Sequence, residues 1–386
     1  MKRPSRTFII AATLLATATV TASPALAGGH GHDPGSSIGR PHTIAEGLLT
    51  PLSLAVDGRG RALVSQNFRG ELVRFTRGGQ SSTIATSPGD ELGAVSTSGS
   101  TIYWASTGQD PTAPSATLYS QGRHGTPRVI ADLRAYEASA NPDQDTTYGF
   151  RGLPESCAAQ FPADNPAVYR GAVDSHPYAT SASRGQVFVA DAGANAILAV
   201  RTGRSHSRVR TVAVLPPVTA QVSATALQAQ GLPTCAAGRT YYFESVPTDV
   251  ERGRDGWLYV SLLPGGPEDA SLGARGAVVK VDPSTGDVRA VAGGFVGAVD
   301  LALGPDGTIA VAELFGGANG AGQVTLVSPR SSHRRSLPLT SPGAVEWVGS
   351  KRHSTLYVTT DAFGGGAEGP QPVGRLQTVR ISSHHH

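Results

Sequence analysis

The chain predicts an all-β fold, a six-bladed β-propeller closed by an N-terminal strand in the last blade. Three observations carry that expectation. An apolar alternating run, a Gly/Asp turn and a β-branched run recur as LSLAVDGRGRALVSQN (52–67), GAVSTSGSTIYWAST (93–107), YATSASRGQVFVADA (178–192), TDVERGRDGWLYVSLL (248–263), DLALGPDGTIAVAEL (300–314) and EWVGSKRHSTLYVTTD (346–361). With Val64, Trp104, Val189, Val260, Val311 and Val358 in register the spacings are 40, 85, 71, 51 and 47 residues. A period of roughly 40–50 belongs to propeller blades, so the two long gaps read as a blade plus an insertion each. Finally, the sixth copy offers three strands before the chain ends, while HTIAEGLL at 42–49 supplies an unclaimed fourth at the other terminus. Pairing the two would seal the ring and remove sticky edge strands.

Taken from the N-terminus, residues 1–27 read as a secretory signal. Lys2, Arg3 and Arg6 precede the apolar FIIAATLLATATVTA, and Ala25-Leu26-Ala27 offers the small-residue cleavage pattern. The apolar run is short for a membrane span of about 20 residues, so the expectation is cleavage after Ala27 and a secreted, extracellular chain. Residues 28–42 are Gly- and His-rich without an apolar period and should be a flexible leader, in which His30 and His32 could hold a metal ion loosely. Residues 43–383 form the single propeller domain. The terminal His run at 384–386 is set aside as a tail.

Within blade one the four strands read LSLAV, ALVSQ, ELVRF and SSTIAT, joined by DGRG and TRGG, whose glycines supply the positive φ of tight hairpins. A single such sheet cannot bury both faces, so neighbours must stack around an axis. The chain carries 32 basic and 29 acidic residues, and removing the three signal-peptide cations leaves 29 against 29. No basic stripe for nucleic acid is visible. A monomer that binds a small molecule, a glycan or a protein segment is the expected partner class.

The long connections, 132–175 and 215–245 between blades and 261–275, 314–322 and 361–374 within them, all belong to one face, whereas GRDG, GPDG, STGD and RHGT on the other are short. The elaborated upper face is therefore the candidate for function. Cys157 and Cys235 fall one in each insertion. An exported chain with an even cysteine count oxidises, which predicts a Cys157–Cys235 disulfide clipping the two insertions over the channel mouth.

Several stretches resemble the ScyD/ScyE family of secreted propellers: DLRAYEASANPDQ (132–144), DSHPY (174–178), VADAGANAILAV (189–200), SVPTDV (245–250) and AVDLALGPDGTIAVAEL (298–314). The resemblance implies an exported NHL- or gluconolactonase-like propeller, in a family named for proteins associated with an extracellular sunscreen pigment. Ser261-Leu262-Leu263, where the pattern would place Gly-Glu-Leu, and the added loop at 264–276 depart from it.

Innermost strands begin near the channel mouth, and aligning the copies places Ser53, Tyr178, Thr248 and Asp300 there, with Asp174 and His176 just upstream. The ends of the second strands add Asn67, Asp191, Asn195, Glu313 and Asp361. Oxygen-rich rings of this kind suit Ca²⁺, with Asn195, Asp300 and Glu313 as the candidate ligands. A plainer reading makes Asp191 and Asn195 caps of the tight DAGAN loop. The run Asn141-Pro-Asp143-Gln-Asp145 fails as an EF-hand loop, because Thr146 stands where its Gly belongs and Gly152 where its Glu belongs. No nucleophile elbow, phosphate loop or zincin His pair is present.

Two functional readings follow. One is a secreted binding or accessory propeller acting through its upper face. The other is a Ca²⁺-assisted hydrolase or lyase, similar to gluconolactonase-like or streptogramin-lyase propellers, in which Asp174 or His176 would move a proton.

Overall fold

The computed structural model describes residues 36–383 except 184, 204–207, 330, 332, 352, 367 and 368. The expected signal peptide, His30 and His32, and the terminal His run lie outside the described residues. Six four-stranded antiparallel blades run in chain order from their innermost strands: 54–86, 90–132, 177–214, 247–295 and 298–338, then 344–383 completed by the N-terminal segment. In that last blade His42–Leu48 pairs with Gly374–Ser383, with His42 opposite Thr378 and Leu48 opposite Gly374. Ser36–Ile38 continues the pairing, Ser36 opposite Ser383. The end of the expected leader is thus strand, because Ile38 packs into the core between blades five and six.

Closure of the ring is visible in the packing. Each innermost strand lies against the innermost strand of the next blade, and that of blade six lies against that of blade one. Six apolar cores fill the six junctions, as a period of two demands: Leu63 faces blade two while its neighbour Val64 faces blade six. The register residues Val64, Trp104, Val189, Val260, Val311 and Val358 each enter the core shared with the preceding blade. Each such fully buried side chain contributes about 1.5–3 kcal/mol relative to exposure. Two hydrogen bonds cross the seam between blades six and one, from Thr359 Oγ1 to the Pro51 carbonyl (2.7 Å) and from Tyr357 to the Gly60 carbonyl (3.3 Å).

The two insertions do more than drape over the ring. Strands Thr147–Phe150 and Val168–Arg170 of the first and Val218–Gln221 and Thr240–Phe243 of the second assemble into one further four-stranded sheet. Three short helices, Leu133–Ala140, Glu155–Ala158 and Ala224–Ala229, accompany it. Asp132 caps the first, accepting a hydrogen bond from the Ala135 N–H, and Ser223 caps the third in the same way. The Cys157–Cys235 disulfide is formed, with Cα atoms 5.8 Å apart. It staples a small core of Phe150, Val222, Leu227, Ala236 and Phe243 rather than clipping two independent loops.

Candidate functional site at the channel mouth

A repeated junction shapes the mouth. The carbonyls of Thr50, His176, Val246 and Gly297 accept hydrogen bonds from the backbone N–H groups of Asn67, Ala192, Leu263 and Leu314. Thr50, Val246 and Gly297 hold positive φ there, which turns the incoming chain sharply into the innermost strand. One step further on, a side chain bonds the next blade. Ser53 Oγ accepts from the Val95 N–H at 2.8 Å and Asp249 Oδ2 accepts from the Leu301 N–H at 3.2 Å, while the Val345 N–H lies near enough to Asp300 to favour its ionised form.

This corrects the sequence alignment by one residue. A β-bulge between Pro247 and Asp249 sets Asp249 opposite Ser261, matching Asp300 opposite Ala312. Asp249, not Thr248, is the counterpart of Asp300. Thr248 instead turns its hydroxyl into the blade wall, donating to the Ala298 carbonyl at 2.9 Å. The same bulge in blade three makes Ala179 the counterpart of Asp249, while Tyr178 matches Thr248.

Two residues beyond Asp249 stands Glu251, and Glu346 occupies the corresponding place in blade six. Their intervening neighbours Val250, Leu301 and Val345 sit in the inter-blade cores, so Asp249, Glu251, Asp300 and Glu346 take the opposite side of their strands. Burial pushes Asp249 up to about 7, against the Val250 and Leu301 N–H groups that favour its ionised form. Burial and the Asp249 charge push Glu346 up to about 8. Glu251 and Asp300 rise well above the carboxylate range, first through burial and then through their acidic neighbours. The neighbouring charges that raise Glu251, Asp300 and Glu346 all belong to members of this set.

Across the mouth, blades two and three are joined by an ion pair. His176 Nε2 lies 3.0 Å from Glu91 Oε2, and Asn67 of blade one donates to Glu91 Oε1 at 2.9 Å. Burial opposes both charges, yet each stabilises the other. Glu91 is held below its ordinary value by the His176 charge and by hydrogen bonds from His176 and Asn67. Glu91, with Asp174 and Asp191, pushes His176 up to about 9 despite burial. Tyr178 meets the His176 ring edge-on at 6.0 Å, and burial followed by the charges of Glu91, Glu268, Asp300 and Asp249 raises its hydroxyl pKa. Glu268 belongs to the added loop of blade four, which Arg275 ties down by donating to the Gly265 carbonyl at 2.8 Å while lying over Phe243 of the insertion sheet.

The remaining predicted residues occupy separate positions. Asp191 caps the DAGAN loop, taking the His176 N–H at 2.7 Å and the Ser175 hydroxyl at 2.7 Å. Asn195, at φ 50°, accepts from the Val246 N–H and donates to Asp143. Glu313 accepts from the Val296 N–H and the Gln323 amide, both at 2.8 Å, and from the Thr325 hydroxyl. Asp361 meets Arg375 at 3.3 Å on the outer rim. Asn195, Asp300 and Glu313 therefore sit at three different blade junctions and do not share a point, so the Ca²⁺ ligand set read from the sequence does not fit. Among the described residues no three His, Cys, Asp or Glu side chains form a metal cluster.

The sequence reading missed Glu91, Asp249, Glu251 and Glu346. An acidic residue on an otherwise apolar innermost strand was the available signal, and the 51-residue spacing of Val260 and Val311 already sets Asp249 with Asp300.

No protein-family model matches the chain, and no curated protein matches it in sequence. A structural-genomics protein of unknown function from Bacteroides thetaiotaomicron superposes with a TM-score of 0.52 at 11% identity, over 90% of this chain and 76% of that one. The PQQ-bound aldose sugar dehydrogenase of Streptomyces coelicolor aligns at 0.49 and 13% identity, over 90% and 98% of the two chains. A gluconolactonase from Xanthomonas campestris aligns at 0.49 and 8%, over 90% of each. Likeness at such identities bears on the fold alone; the sheet order and the packing of neighbouring innermost strands make the chain a β-propeller.

Proposed function

We propose that this chain is an exported binding propeller, of the ScyD/ScyE-like kind, whose channel mouth accepts a small polar ligand rich in hydrogen-bond donors, cationic or polyhydroxylated. The observation that supports it is the set of four carboxyl groups, Asp249, Glu251, Asp300 and Glu346, on the inner strands of blades four to six, all raised by burial and three of them by one another's charges. An ammonium ligand would draw them into their ionised form and a polyol would hydrogen-bond them in either form, whereas an anion would gain no charge partner there. Tyr178 and the charged His176–Glu91 pair form the facing wall. His176 is positioned by Glu91 in its protonated form, so at neutral pH it is a fixed donor rather than a base. The hydrolase reading asks Asn195, Asp300 and Glu313 to share an ion, whereas Asn195 bonds the Val246 N–H and Glu313 the Val296 N–H.

Export is supported by the formed disulfide, and no helix among the described residues is long and apolar enough to cross a membrane. The test is a melting-shift and titration panel of sugars, polyols, polyamines and organic anions on the mature protein. A donor-rich compound should bind, with affinity falling at least tenfold in Asp249→Asn together with Glu346→Gln. A ligand held equally well by that variant, or a preference for anions, would remove the proposal.

A further inference from the structure

Within the first insertion a group of buried side-chain oxygens lacks partners. Glu137 lies on the helix Leu133–Ala140, and Asn141 ends that helix one turn later at φ 34°. Asp143 follows two residues on. Glu137 is 0% exposed and Asp143 1% exposed. Both carboxylate oxygens of Glu137, Oδ1 of Asn141 and Oδ1 of Asp143 are buried without a hydrogen-bond partner. The other Asp143 oxygen is fully engaged, accepting from the Tyr148 hydroxyl at 2.9 Å and from Asn195 Nδ2 at 3.0 Å. Those two donors fix the carboxylate, and its Oδ1 lies against Gly171.

The surroundings add negative charge rather than relief. The charges bearing on Glu137 come from Asp191, Asp143 and Asp174, and the Asp174 backbone N–H is near enough to favour the ionised form without completing a hydrogen bond of normal geometry. Burial first, then those carboxylates, pushes Glu137 up to about 8. Arg134 points elsewhere, donating to the Val173 carbonyl. Gly171 packs directly on Asp143, where any Cβ would collide with the carboxylate and the Asp143 carbonyl. The loop therefore closes tightly over the oxygens. Buried charge persists when it is paired, protonated or bound to a metal, and four orphaned oxygens within seven residues exceed what one proton can satisfy.

We infer that Glu137, Asn141 and Asp143 form a structural Ca²⁺ site that locks the first insertion onto blade three. The donors are hard oxygens only, two carboxylates and an amide, with no His or Cys, which suits Ca²⁺ over Zn²⁺ or Cu²⁺. It is not an EF-hand, since the ligands come from a helix end and the turn after it. Through Asn195, which joins Asp143 to the Val246 N–H, the ion would stiffen the connection between blades three and four.

The experiment uses the full mature protein. Metal analysis after dialysis against metal-free buffer with 1:1 added Ca²⁺ should give one ion per chain, and exhaustive chelation should lower the melting temperature by about 3 °C or more, reversed by Ca²⁺. Glu137→Gln should abolish stoichiometric binding and the Ca²⁺ response, while melting no lower than the metal-free parent because a neutral amide replaces an uncompensated carboxylate. Asp249→Asn with Glu346→Gln should retain the response, which separates this site from the channel. Terbium offers a readout independent of stability: Tyr148, hydrogen-bonded to Asp143, should sensitise its emission, and Ca²⁺ should quench it by displacement. A chelator-insensitive melt without bound Ca²⁺, a response surviving Glu137→Gln, or terbium emission unchanged by Tyr148→Phe would each overturn the assignment.

Discussion

Replacing Cys157 and Cys235 together by serine tests how the insertion sheet is held. The cysteines are 78 residues apart, and the loop they close contains all of blade three. In the chain-entropy treatment a loop of that size restricts the unfolded ensemble by about 4.5 kcal/mol, or roughly three decades in the unfolding equilibrium. Beyond the disulfide, the halves of the sheet are joined by a short strand pairing and by the Phe150–Tyr241 and Arg151–Tyr242 contacts. Its two central strands are paired at only two positions, Gly149 with Tyr242 and Phe150 with Tyr241, and both halves contribute to one small core around Phe150, Leu227 and Phe243. The loss should therefore surface locally before it surfaces globally. Urea unfolding of the double variant should show stability lower by about 3–4.5 kcal/mol. Hydrogen exchange should accelerate in 147–170 and 218–243 while the blade cores keep their protection. A variant within about 1 kcal/mol of the parent, with unchanged exchange in both segments, would refute the tethering argument.

Three further outcomes are expected. Because Asp249 and Glu346 have folded-state pKa values of about 7 and about 8, above those of the unfolded chain, the native state binds more protons between about pH 4 and 8; stability should fall as pH rises through that window, and melting curves of Glu346→Gln should show a shallower slope. The Glu91–His176 pair behaves differently, since depressed Glu91 loses its contribution as pH falls below the carboxylate range and raised His176 loses its own as pH climbs through about 9; Glu91→Gln should be most damaging between those limits, by roughly 2–4 kcal/mol in urea unfolding, and an equal loss at pH 10 would contradict the pairing. Deleting residues 1–48 would strip the partner from Gly374–Ser383 and expose its edge, so light scattering should report association and a lower melting temperature; a monodisperse, equally stable product would show that closure is dispensable.

The repeat alone settled the architecture. Period-two alternation on either side of Val64, Trp104 or Val311 dictates that each strand face two neighbours, and only a ring satisfies six such sheets at once. The strand HTIAEGLL was legible for the same reason, its partner lying at the opposite terminus. The cysteine pairing followed from parity and compartment. What the sequence concealed were features that depend on a single extra residue or on distant chain segments meeting. A bulge of the same kind recurs before Ala179, Asp249 and Asp300, and which side chain of each innermost strand it turns toward the mouth is set by strand pairing rather than by composition. That the two insertions would pair into a shared sheet, or that Glu91 would reach His176 across 85 positions, depends on where blades two and three place their ends. Local pattern encodes which face a side chain takes, because pleating is local; which charges become neighbours is decided only when the ring closes and brings remote strand ends around one axis.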